Sequence, residues 1–229
     1  ETIPSLNHGI RFNRPNSQAH NPRRPLMGEG YLLPRAASID NPLRIAVLIS
    51  GGGSGLAALL KYQQEQTRNH NTVLVIADSP DAKGIEHGNR YGIETHGISL
   101  PEITDKLQRR IFHEELIHKA LVKADIELVV LSGYMRILTP NFVRRWKGRL
   151  VNIHPSLLPK YPGAHAHRDA LADGATISGC TIHLVDEGVD SGMILAQREV
   201  PVLAEDTEFD LQERIKKVEH SLYPEVLDK

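Results

Sequence analysis

The sequence predicts an α/β fold: a doubly wound, mostly parallel sheet with helices on both faces and an antiparallel strand pair at its C-terminal end. Three observations carry this. Short apolar runs without polar alternation mark strands buried on both faces, and segments of helical period fall between them. Two late strand-like runs then follow each other with no helix-length segment between.

Residues 44–50 (RIAVLIS) are the first buried strand, with glycines directly behind it. A helix is expected from about Leu56, with Leu56, Leu59 and Leu60 on one side. Residues 72–77 (TVLVIA) form the second strand, and helical residues around 82–91 lead to a short third strand near 94–98. Leu107, Ile111, Leu116, Ala120 and Leu121 recur at roughly helical spacing and predict a long helix. Residues 126–131 (IELVVL) and 150–153 are the fourth and fifth strands. This alternation calls for parallel strands joined by right-handed crossovers. Residues 177–185 and 194–202 are the late pair, and residues 207–210 start a last helix in the manner of a capping box. Leu211, Ile215, Val218 and Leu222 give that helix one apolar stripe.

The chain of 229 residues suffices for one sizeable domain and a tail. Residues 1–42 place Pro4, Pro15, Pro22, Pro25, Pro34 and Pro42 among Asn, Arg and Gly, with no sustained period. That stretch buries too little apolar surface to offset chain ordering, so it is expected to be a flexible N-terminal tail before a catalytic domain at 43–229. Its basic character leaves organellar targeting open, although no amphipathic helix is evident. Apolar content of 40% and a net charge of −1 fit a soluble protein without a nucleic-acid partner, since no excess of cations is present to neutralise phosphates. The lone Cys180 excludes an intramolecular disulfide and suits a reducing compartment. No apolar run approaches the ~18 residues of a membrane span. A cytoplasmic protein acting on small molecules is expected.

In an open sheet of this kind ligands sit beyond the carboxyl ends of the strands where strand order reverses. Gly51-Gly52-Gly53-Ser54-Gly55 follows the first strand, Gly133-Tyr134-Met135-Arg136 the fourth, and the fifth runs into Asn152-Ile153-His154-Pro155. The glycine run can turn bare N–H groups toward an anion, or simply make a tight strand-to-helix turn. It is not a P-loop, because no Gly-Lys-Ser/Thr follows. As a dinucleotide fingerprint it has Leu56 where the third glycine belongs, with Asp78 near the place of a ribose-binding acid. Asn152 and His154, two apart on an extended segment, point the same way. An amide donor beside a histidine suits a developing oxyanion and proton transfer, while the bland reading is a hydrogen-bonded turn. Asp186, Glu187 and Asp190 offer a carboxylate to orient that ring, or only a polar connection. His165 and His167 lack the further ligands of a recognised metal pattern, and Cys180 reads as core.

Residues 44–228 resemble the folate-dependent glycinamide ribonucleotide (GAR) formyltransferases. The resemblance rests on SGYMRILTP at 132–140, RLVNIHPSLLPKYPG at 149–163, HLVDEGVDSG at 183–192 and EHSLYPEV at 219–226. It implies a Rossmann-like sheet and transfer of a formyl group from 10-formyltetrahydrofolate, the co-substrate, to the amine of GAR, with no metal. Asn152, His154 and Asp190 match the catalytic residues of the family. Met135, Arg136, Ile137, Leu138 and Arg109 match its folate site, together with Asn152. Gly53, Ser54 and Gly55 match the loop that holds the substrate phosphate, and Lys216, Lys217, Val218 and Glu219 the helix that contacts GAR. One departure stands out: the family usually has Asn where this chain has Gly55. The alternatives are a related folate enzyme, either a formyl-folate hydrolase or a formyltransferase for another amine, and a dinucleotide-binding oxidoreductase.

Overall fold

The computed structural model describes residues 27–28 and 31–229, so most of the stretch expected as a tail lies outside the described residues. Two short strands, β1 (Met27–Gly28) and β2 (Tyr31–Leu32), pair antiparallel ahead of the domain. The segment after them runs along the domain: Leu32 N–H donates to the Lys147 carbonyl at 3.2 Å, and Arg35 grips the Glu127 carboxylate at 2.6 and 2.9 Å.

The domain alternates strand and helix as β3 (Leu43–Ile49), α1 (Ser54–Glu65), β4 (His70–Ala77), α2 (Ile85–Arg90), β5 (Glu94–Gly97), α3 (Lys106–Lys123), β6 (Leu128–Leu131) and α4 (Pro140–Arg145). β7 (Leu150–His154), α5 (Ala166–Ala172), β8 (Ile177–Leu184), β9 (Ile194–Pro201) and α6 (Glu208–Leu227) complete it. The seven-stranded sheet has the order β5-β4-β3-β6-β7-β8-β9. Pairing is parallel from β5 through β7 and antiparallel for β7–β8 and β8–β9. The expected fold class holds in full, with β3 and β6 meeting where strand order reverses.

Both faces of the sheet carry a core, which is why its strands read as unbroken apolar runs. Ile45, Val47 and Ile49 of β3 join Leu56, Leu59 and Leu60 of α1 and Leu211, Ile215 and Leu222 of α6. Ala46 and Leu48 join Leu74 and Ile76 of β4, Ile117 and Leu121 of α3, and Phe142 and Trp146 beside α4 on the opposite face. The stripe read along α3 needs a correction. Leu107 and Leu116 are exposed, and the buried face is His113, Glu114, Ile117 and Leu121. Two polar residues sit inward because each is hydrogen-bonded: His113 Nε2 to the Ile98 carbonyl at 2.7 Å, and Glu114 to the Thr139 N–H at 2.7 Å. The last helix starts as expected, Thr207 and Asp210 exchanging a full capping box.

Tyr223 of α6 ties this helix to the sheet. Its buried hydroxyl lies 3.0 Å from both the Leu131 carbonyl, at the end of β6, and the Val151 carbonyl, within β7. Tyr223→Phe leaves the ring packed but removes that donor from two carbonyls, and is expected to cost about 1–2 kcal/mol, read from the shift in urea midpoint. Among the described residues no helix is long and apolar enough to cross a membrane.

Candidate active site

A cleft of about 780 Å³ opens beyond the carboxyl ends of β3, β6 and β7. It is a normal size for a small-molecule site. One wall is the glycine loop. Gly53 takes φ +66° at the N-cap of α1, and a Cβ there would stand 2.9 Å from Gly84 Cα, so a side chain is doubly excluded. The turn leaves the first N–H groups of α1 facing the cleft without a side-chain cap.

A second wall is the segment after β6. Met135 and Ile137 are 73% and 74% exposed, an unusual state for large apolar side chains and one that suits a flat partner ring. Arg136 Nε lies 2.6 Å from Asp78 Oδ2. Leu56, which already broke the dinucleotide fingerprint, is core, and Asp78, which kept that reading open, is held by Arg136. Arg110, rather than Arg109, donates to the Ile137 carbonyl at 2.6 Å, and Arg109 does not line the cleft.

The floor belongs to β7 and β8. Asn152 and His154 project to the same side, as their spacing predicts. His154 Nε2 lies 2.8 Å from the Tyr161 carbonyl, so this nitrogen donates. Its Nδ1 faces Asp190 Oδ2 at 3.3 Å. Both ring nitrogens thus have an acceptor within reach, and these two contacts fix the orientation of the ring. The three acids of the connecting loop have separate tasks. Asp186 builds the turn, accepting from Gly188 N at 3.0 Å and Ser191 Oγ at 2.8 Å; Glu187 pairs with exposed Arg144 at 2.9 Å. Asp190 alone of these reaches the histidine. Its φ of +51° is uncommon for a side-chain-bearing residue, and the Gly163 N–H, 2.8 Å from Oδ2, holds the carboxylate in place.

His183 was not singled out from the sequence, although it stands beside Asn152 in the β7–β8 register. It is buried, and burial pushes its pKa down, favouring the neutral ring. Nδ1 donates to the Leu184 carbonyl at 3.0 Å, leaving Nε2 to accept from the Asn152 amide at 3.3 Å. That contact fixes which way the amide points. The available signal was strand parity, which puts position 183 on the same sheet face as Thr181.

On the side of α6, Lys216 and Glu219 line the cleft, whereas Lys217 and Val218 do not. Burial raises the Glu219 carboxyl to about 7, against an opposing pull from Lys216. Glu208, Gln212, His167 and His220 also line the cleft without having been predicted as site residues. His165 precedes α5, and among the described residues no group of three or more His, Cys, Asp or Glu side chains is arranged to hold a metal.

The formyl transferase family pattern matches residues 43–227. Phosphoribosylglycinamide formyltransferase of Escherichia coli K12 is 41% identical over 185 residues, covering 81% of this chain and 85% of that protein. The trifunctional purine biosynthetic protein adenosine-3 of Drosophila melanogaster is 45% identical over 186 residues, which are 80% of this chain but only 14% of that protein. The structure of glycinamide ribonucleotide transformylase 1 from Symbiobacterium toebii matches with a TM-score of 0.77 at 38% identity, covering 82% of this chain and 86% of that one. With the pattern spanning the whole sheet and every wall of the cleft, the chain belongs to the formyl transferase family.

Proposed function

We propose that this protein transfers the formyl group of 10-formyltetrahydrofolate to the amine of glycinamide ribonucleotide, as a cytoplasmic enzyme of purine synthesis. The observation that carries this reading is the set Asn152, His154 and Asp190 on the floor of a cleft. At one end an uncapped helix N-terminus suits a phosphate; at the other, exposed Met135 and Ile137 suit a pteridine ring.

The amine nitrogen attacks the formyl carbon, and the carbonyl oxygen gains negative charge. Asn152 presents an amide hydrogen whose direction His183 sets, and His154 brings positive charge held beside Asp190. One such donor lowers a barrier of this type by roughly 3 kcal/mol. The bond from carbon to the folate nitrogen then breaks, and the proton lost by the attacking nitrogen ends on the departing one. Asp190, within 3.3 Å of His154 Nδ1, is placed to take the proton and pass it on. Glu219 grips the acceptor amine, and Arg136, pinned by Asp78, keeps the folate-facing segment in register.

The test is release of tetrahydrofolate with and without GAR. Release that requires GAR is the expected result. Release without GAR would instead identify a formyl-folate hydrolase, and no release from folded protein would reject folate chemistry.

A further inference from the structure

Gly55 leaves a space beside the start of α1, and the structure shows what fills it. A Cβ built on Gly55 would lie 2.4 Å from Ser132 Oγ, so the hydroxyl from the end of β6 occupies the volume that a side chain at position 55 would enter. Ser132 is 9% exposed and lines the cleft. Its backbone N–H is spent on the Leu48 carbonyl at 3.0 Å, but its hydroxyl has no hydrogen-bond partner among the described residues. A hydroxyl without a protein partner that opens onto a cleft is free to meet a ligand there. The other hydroxyl of this wall, Ser54 Oγ, is already shared with His220 Nε2 at 3.2 Å.

We infer that Ser132 is a binding residue for the phosphate of the acceptor substrate, supplying from β6 the polar contact that Gly55 cannot supply from α1. The inference rests on reading the glycine loop as the seat of the GAR phosphate. The anion would then meet two kinds of donor: the free N–H groups of the first turn of α1, and the Ser132 O–H beside Gly55. Gly55 and Ser132 share one space: a side chain at 55 would turn the hydroxyl at 132 out of its present position.

Steady-state kinetics of Ser132→Ala, with inorganic phosphate as a competitive inhibitor against GAR, tests this. The KM for GAR and the inhibition constant of phosphate are each expected to rise about tenfold, the range of a hydrogen bond to a charged group. The KM for the formyl-folate should move by much less. Gly55→Asn with Ser132→Ala should regain most of the affinity lost in Ser132→Ala, since the nearest remaining side-chain atom, Ser132 Cβ, lies at 3.8 Å from a Cβ at position 55. Unchanged KM for GAR and unchanged phosphate inhibition in Ser132→Ala would overturn the inference while leaving the formyl-transfer reading intact. Equal rises in both substrates' KM would also overturn it, marking a purely structural effect. A wild-type protein with no GAR-dependent turnover would remove the acceptor reading first, and this inference with it.

Discussion

Replacing His154 with alanine is expected to lower GAR-dependent turnover by about 10³-fold, with the protein still folded. The ring is buried, but its loss opens a cavity next to an open cleft, so water can enter and the cost in stability stays moderate. The loss in rate is larger because two tasks end together. The positive charge beside the developing oxyanion disappears, and Asp190 loses the group 3.3 Å away that ties its proton chemistry to the site. Asp190→Asn separates these tasks. An amide oxygen can still accept from the Gly163 N–H, so the loop conformation survives while the carboxylate charge is gone. Turnover should fall by about 10²-fold or more, with the KM for GAR little changed. Asn152→Ala should cost a similar factor, and the double change with His154→Ala should cost far less than the product, because both act on one oxygen. Circular dichroism and kcat for the purified variants check this; normal turnover in Asn152→Ala and His154→Ala would reject the mechanism.

How much of this was legible in the sequence follows from which forces act locally. The apolar runs of β3, β4 and β6 announce strands buried on both faces, and the glycines after β3 announce the crevice, because each signal is contained in a few adjacent residues. The pairing of Asn152 and His154 was equally plain, since strand parity puts them on one side. Features built from distant residues were not readable. His183 meets Asn152 only once β8 docks antiparallel on β7, and its hydrogen-bond partners are 31 residues away and next door. The buried face of α3 was misread because His113 and Glu114 break the apolar pattern, their partners Ile98 and Thr139 lying outside the helix. α4 and α5, of six and seven residues, are too short to show a period. Arg109, Lys217 and Val218 were matched to a pocket by resemblance alone. A helix offers roughly one face to a cleft, and on α6 Lys216 and Glu219 take the facing positions, whereas neither Arg109 nor Arg110 of α3 lines the cleft.

Glu219→Gln is expected to stabilise the protein and damage its function at once. The carboxyl has an ordinary value of 4.5 and is raised by burial to about 7, so the folded chain binds its proton more tightly than the unfolded chain does. Stability linked to this group is therefore present at low pH and lost as pH rises from about 4.5 through 7. The nearby Lys216 ammonium offsets this only partly, because it also pairs with Glu213. Glutamine resembles the protonated acid and removes the penalty. Near pH 8 the variant should exceed the wild type by on the order of 2–3 kcal/mol in urea unfolding, and near pH 4.5 the two should coincide. A carboxylate kept in such a place at such a cost needs a cation or amine to face, and the acceptor amine supplies one. In kinetics the same variant should raise the KM for GAR or lower kcat/KM by about 10–100-fold, with the KM for the formyl-folate nearly unchanged. A stability difference that does not change with pH would show that Glu219 is not held at the raised value. A pH-dependent gain in stability with intact GAR kinetics would separate the buried carboxyl from amine recognition and assign the amine to another group on the cleft wall.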